Sequence, residues 1–250
     1  MYRISLLLLA LLAAPLTAET GQLTLSTLKG MLLADNCSQV LEEAYEHLGI
    51  TVDIEHYPAK RSLSLSNSGM TDGEVMRIKG AEALYPNLVR VPVAICVMES
   101  KVYSKNQDLQ ITGWESMADY KIGIVRGHLY AAEGTQGMDV TEVHDTHALF
   151  KMLKAGRIDV AVAITTDALK TIHTQQLEGV YSSSSVIYQA PLYHYLHAKH
   201  SALVPELAQT LQTMNSSGRI AAIRVAFENS LSGEDPVAKT SELPNPANAD

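Results

Sequence analysis

The sequence is poor in cysteine, tryptophan, phenylalanine and positive charge, and each shortage removes a class of explanation. Its 250 residues include only two cysteines, Cys37 and Cys96. Two cannot build a cysteine-rich zinc framework, and in an oxidising compartment they permit one disulfide, whose formation their spacing leaves open. The pairs His144/His147 and His194/His197 have no cysteine or carboxylate at ligand spacing, so no metal is expected. Lys and Arg number 19 against 27 Asp and Glu, a net charge of -8. That leaves no basic excess to neutralise phosphates and argues against nucleic acid as a partner. No nucleophile elbow or Gly-rich phosphate loop is present, and no cofactor is expected. No apolar run reaches the ~18–20 residues that a bilayer span requires.

What is there reads as a folded, exported chain. Apolar residues make up 46% and charged residues 18%, too apolar and too weakly charged for a disordered protein. The longest apolar run, Ile4 to Leu16, follows Arg3 and precedes Thr17-Ala18, which predicts a secretory signal over residues 1–18 with cleavage after Ala18. Neither cysteine follows that run directly, so no lipid anchor is expected. The product is expected to be soluble in the periplasm of a Gram-negative type cell.

From Leu23 onward apolar strands alternate with helical stretches. Leu23–Ser26 has a period of two. Ser38 is placed to cap a helix carrying Val40, Leu41, Ala44, Tyr45 and Leu48, closed by Gly49. Ile50, Val52 and Ile54 alternate as a second strand, a short helix runs from Ala59 to Asn67, and residues 72–78 form a third strand. This order predicts a parallel sheet. Asn87–Met98 is a long strand able to run between two lobes. A second set follows: a strand at 121–126, a helix near His128–Glu133, a strand at 139–143, a helix capped by Asp145, and Ile158–Ile164, whose continuous apolar character predicts burial on both faces. This set is expected to have its own sheet. Ser182–Ser185 reads as a linker and Leu192–Leu196 as a strand. Two helices, 202–214 and 218–227, follow, and residues 232–250 form a disordered tail.

Several segments in order along the chain resemble the type II periplasmic solute-binding proteins, specifically the family 3 group of polar amino acid transporters. They are Tyr57-Pro58-Ala59-Lys60-Arg61, Asp72-Gly73-Glu74, Tyr85-Pro86-Asn87, Lys121 through Gly127, Leu153 through Asp159, and Pro191-Leu192-Tyr193. The resemblance implies an α/β fold of two lobes joined by two crossing segments, with ligand in the cleft between them. One lobe would take residues 19–98 plus 192–231 and the other 101–183. It also implies a monomer whose partners are a small-molecule ligand and an ABC permease or a membrane receptor.

In open parallel sheets ligands collect beyond the carboxyl ends of the strands, beside helix N-termini. Those positions here are the residues after Ser26, Tyr57 with Arg61, Arg77 with Glu74, the Gly127-His128 turn near Arg126, and Thr165-Thr166-Asp167. Each of Arg61, Arg77 and Arg126 is a candidate anion anchor, because a guanidinium meets a carboxylate through two hydrogen bonds. His128 reads either as a neutral cleft imidazole or as an ordinary loop histidine. Trp114, Tyr193 and Tyr195 read as structural. Three departures stand out against the family pattern. Thr27-Leu28-Lys29-Gly30-Met31 replaces the usual aromatic and proline, His128 replaces a small hydroxyl residue, and Ile164 replaces the carboxylate that would hold an α-amino group. The functional expectation is capture of a small polar, anionic or amino-acid-like solute for an ABC transporter, with a soluble sensor as the alternative. An enzyme of the periplasmic dehydratase type has only Glu74 and His128 as acid–base candidates and is not expected.

Overall fold

The computed structural model describes residues 21–233. The expected export signal lies outside the described residues, as does the expected tail 232–250 from residue 234 on; its first two residues are ordered instead, Ser232 ending the last helix and Gly233 capping it, because the helix runs five residues past the expected 218–227. The chain runs β1 (Gln22–Leu28), α1 (Leu32–Glu46), β2 (Thr51–Tyr57), α2 (Ala59–Ser68), β3 (Gly73–Ile78), β4 (Leu88–Ser104), β5 (Ile122–Val125), α3 (Leu129–Gly134), β6 (Val140–Val143), α4 (Thr146–Lys154), β7 (Val160–Ile164), α5 (Thr165–Thr174), β8 (Tyr181–His197), α6 (Val204–Ser216) and α7 (Arg219–Ser232).

The strands lie in the order β2-β1-β3-β8-β4-β7-β5-β6. At one end β1 is parallel to β2 and β3, and at the other β5 is parallel to β6 and β7. Between them β4 and β8 run antiparallel from Leu88↔His197 to Ser104↔Tyr181, with several register shifts. The separate second sheet expected from the sequence is therefore hydrogen-bonded to the first. Each central strand is 17 residues long and serves both ends. Ser182–Ser185, read as a linker, belongs to β8 because its backbone is consumed by this ladder.

The apolar interior is divided even though the ladder is not. One cluster joins Leu25, Leu41, Tyr45, Ile95, Leu207 and Leu211 beneath β1–β3. On the β5–β7 side a second holds Leu149, Phe150 and Ile158, and a third holds Ile122, Ile124 and Val162 with Trp114 against it. All five residues of β7 are buried, as its apolar run required. Asp145 caps α4, its Oδ1 accepting from the Ala148 amide at 2.7 Å. Ser38 is not a cap. It sits inside α1, donating to the Ala34 carbonyl at 2.8 Å, and the helix begins six residues earlier because Leu33, Ala34 and Cys37 also face the core.

Cys37 on α1 and Cys96 on β4 form a disulfide, with Cα atoms 5.6 Å apart. On β8, His194 is wholly buried. Its Nδ1 donates to the Glu74 carbonyl at 2.8 Å, which fixes the tautomer, so Nε2 accepts from the Tyr45 hydroxyl at 2.9 Å. Burial lowers its pKa to about 4. The unfolded ring protonates near 6.5 and the folded ring does not, so His194 contributes stability that is complete above pH 6.5 and lost as pH falls to 4. The loss is about 3 kcal/mol. Asp167, raised to about 6 by burial, acts with the opposite sign, so a net stability profile would blur the two. The check is the His194 Cε1 proton shift by NMR. A midpoint near 4 is expected, and one near 6.5 would contradict this packing.

Candidate functional site

A cavity of about 500 Å³ opens between the ends of β1 and β3 with interior residues of β4 and β8 on one side and the β5–α3 turn, the β7–α5 junction and the middle of β8 on the other. Its position follows from topology: the strand ends of the two parallel sets face each other across the long antiparallel pair. Leu28 ends β1, Gly30 and Met31 come from the β1–α1 connection, and Met76, Arg77 and Ile78 from the end of β3. Met98 and Leu192 come from the central strands. Gly127, His128, Leu129 and Tyr130 form the opposite wall with Ile164, Asp167 and Tyr188.

Arg77 enters this space from a buried network. Its Nη2 lies 2.7 Å from Glu74 Oε1 and donates to the Ala59 carbonyl at 3.1 Å, while its Nε is buried without a partner. Glu74 is fully buried, and its Oε2 accepts from Ser62 Oγ at 2.6 Å and Ser26 Oγ at 3.0 Å, with Ser66 Oγ at 3.4 Å. Burial pushes the Glu74 carboxyl upward, opposed by Arg77 and then by these hydroxyls. Glu74 does not line the cavity. It is the counter-charge that holds Arg77 against the opening.

The facing wall carries His128 after Gly127, whose φ of 87° is the left-handed conformation that glycine adopts without strain. His128 is half-buried, its Nδ1 has no partner, and burial lowers its pKa, so the ring is neutral at pH 7. It stacks on Tyr130 at 5.7 Å between centroids, and Tyr130 stacks on Tyr188 at 4.5 Å. The Tyr130 hydroxyl accepts from Ser100 Oγ at 2.8 Å. Asp167, in the first turn of α5, is half-buried. Burial raises its pKa to about 6, and only the Leu32 amide at the start of α1 favours its charge.

The structure thus brings Arg77, Gly127, His128 and Asp167 to one cavity and leaves the other sequence candidates outside its lining. Arg126 is 72% exposed and its Nε contacts Glu142 at 3.3 Å. β5 ends one residue earlier, so its side chain projects outward from the turn. Arg61 is exposed on α2, its guanidinium 5.4 Å from the Tyr57 ring centroid, and the Tyr57 hydroxyl donates to Glu55 at 2.6 Å. Thr165 and Thr166 face a separate crevice with Asn36, Glu99 and Arg224. The expected helix N-terminus after His128 belongs to α3, only six residues long. Tyr195 and Tyr193 are structural, the first hydroxyl donating to the Ile78 carbonyl at 2.9 Å and the second ring lying under Arg90. Sequence reasoning missed Met31, Met76, Met98, Tyr130 and Tyr188. The signal for Met31 was available, since it ends the segment that lacks the usual aromatic and proline.

No protein-family model matches the chain. An uncharacterized protein of Shewanella oneidensis is 25% identical over 187 residues, covering 72% of this chain and 70% of its own length. Among solved structures, the GluR0 ligand-binding core complexed with L-glutamate superposes with a TM-score of 0.65 at 10% identity, covering 84% of this chain and 99% of that one. A histidine kinase sensor domain similar to periplasmic binding proteins gives 0.61 at 15% identity, covering 82% and 95%. An arginine-bound amino acid ABC transporter substrate-binding protein of Streptococcus pneumoniae gives 0.58 at 14% identity, covering 84% and 96%. By these superpositions and its own topology, the chain has the mixed α/β type II periplasmic-binding-protein fold over most of its length.

Proposed function

We propose that the protein is an exported binding protein that captures a small amino-acid-like solute between two lobes, residues 19–98 plus 192–231 and residues 101–183, and presents it to an ABC permease. The observation that carries this reading is the pairing, across one cavity, of the Arg77 guanidinium on the β3 side with the Asp167 carboxylate on the β7–α5 side. A ligand carrying opposite charges can engage both at once, and such bridging favours the closed arrangement to the extent that the ligand binds it more tightly. The superposition on a sensor domain favours a second reading, in which the same capture is reported to a membrane receptor. A monomer suits either role.

The test is a thermal-shift screen of L-amino acids and small carboxylates, since a ligand at 100 times its Kd adds about 2.7 kcal/mol of stability. Calorimetry on the hit then compares variants. Arg77→Gln is expected to weaken binding at least ~10-fold, as loss of a charged hydrogen bond does. Arg126→Ala is expected to leave affinity unchanged. If no compound shifts the melting curve, or Arg77→Gln binds like the parent, the capture reading fails.

A further inference from the structure

We infer that the captured ligand is an amino acid with an uncharged, apolar side chain, an inference that rests on the capture reading above. Of the residues lining the cavity only Arg77 and Asp167 carry formal charge, because His128 is neutral at pH 7. Arg77 is already partly neutralised by Glu74 at 2.7 Å, so it has capacity for one carboxylate and no more. Its Nε is buried without a partner, so the protein's own contacts leave the guanidinium unsaturated. Asp167 has no ion-pair partner among the described residues and is desolvated, a state that an ammonium relieves. With the ligand's carboxylate on Arg77 and its ammonium on Asp167, no third charged side chain remains. A ligand ending in a guanidinium, amine or second carboxylate would set that group against the apolar lining with no counter-charge to meet it, which is unfavourable.

The remaining walls have the complementary chemistry. Leu28, Met31, Met76, Met98, Ile164 and Leu192 supply apolar surface from five strands and the β1–α1 connection. Three thioethers among them can adjust to fit different apolar shapes. The His128–Tyr130–Tyr188 column borders the same space. A cavity of about 500 Å³ is ample for the side chain of leucine, methionine or phenylalanine. The structural neighbours solved with L-arginine and L-glutamate carry charged ligands, so the chemistry inferred here differs from theirs.

Calorimetry on the purified chain decides the point with L-phenylalanine, L-leucine and L-methionine against L-arginine and L-glutamate. At least one apolar amino acid is expected to bind ten times or more tighter than either charged one. 3-Phenylpropionate and 2-phenylethylamine, each lacking one charged end, are expected to bind at least tenfold more weakly than L-phenylalanine. Met31→Glu, at the start of α1 where a carboxylate suits the helix, places a counter-charge in the wall. It is expected to weaken L-phenylalanine and strengthen L-arginine by at least tenfold. Equal or tighter binding of L-arginine or L-glutamate by the parent chain, or a Met31→Glu variant with unchanged preference, overturns the inference. If L-arginine or L-glutamate binds in a manner lost in Arg77→Gln, the capture reading stands and only the apolar assignment falls. If none of these probes binds, the apolar assignment falls, and the capture reading falls with it only if the whole screen of L-amino acids and small carboxylates is also silent.

Discussion

Glu74→Ala is expected to destabilise the protein by about 3–5 kcal/mol, because it leaves a buried guanidinium without its counter-charge. Glu74 is fully buried and the Arg77 side chain is 11% exposed. The Ser62 hydroxyl loses its acceptor in the same substitution, while Ser26 keeps the Ser62 and Gly73 carbonyls. The double variant Glu74→Ala/Arg77→Ala is expected to be more stable than Glu74→Ala alone, since it buries no lone charge. That inversion separates an ion pair from mere packing, where a second truncation adds its own cost. Urea unfolding at pH 7 provides the measurement. A double variant less stable than Glu74→Ala would show that volume, not charge, governs this network.

Cys37→Ala/Cys96→Ala is expected to cost about 4 kcal/mol, the chain entropy that a bridge across 59 residues removes from the unfolded state. The bridge ties α1 to the central strand β4, and both cysteines are buried in the cluster beneath β1–β3. For a chain of this size the loss corresponds to a melting temperature lower by roughly 8–16 °C. Scanning calorimetry of the double variant and of the parent, both under non-reducing conditions, measures it. A difference under about 2 °C would mean that the unfolded chain already holds these segments together.

Much of the fold was legible because it is written in local periodicity. The alternation in Leu23–Ser26 and Ile50–Ile54, the unbroken apolar run of β7 and the Asp145 cap each depend on residues within a few positions of one another. The start of α1 was misplaced because a serine six residues into a helix resembles a cap when its neighbours' burial is unknown. The serines of β8 were misread for a related reason. Polar residues suit a strand when its hydrogen bonds go to β4, and a pairing between residues this far apart leaves no trace in local composition.

The site divides along the same line. The sequence by itself put Arg77, Gly127, His128 and Asp167 at strand ends, together with Arg61, Arg126, Thr165 and Thr166, because parallel strands deliver their carboxyl ends to one edge, and only the first four reach the opening. Only the tertiary structure decided what those residues do there. Glu74 and Arg77 are three residues apart, a spacing that sends side chains to opposite faces of a regular strand. The register of β3 against β8 shifts between them, and that irregularity lets the carboxylate and guanidinium meet at 2.7 Å. The apolar lining was hidden for the same reason. Met31, Met76 and Met98 share no spacing pattern, and they become one wall only where a helix start, a strand end and a crossing strand converge.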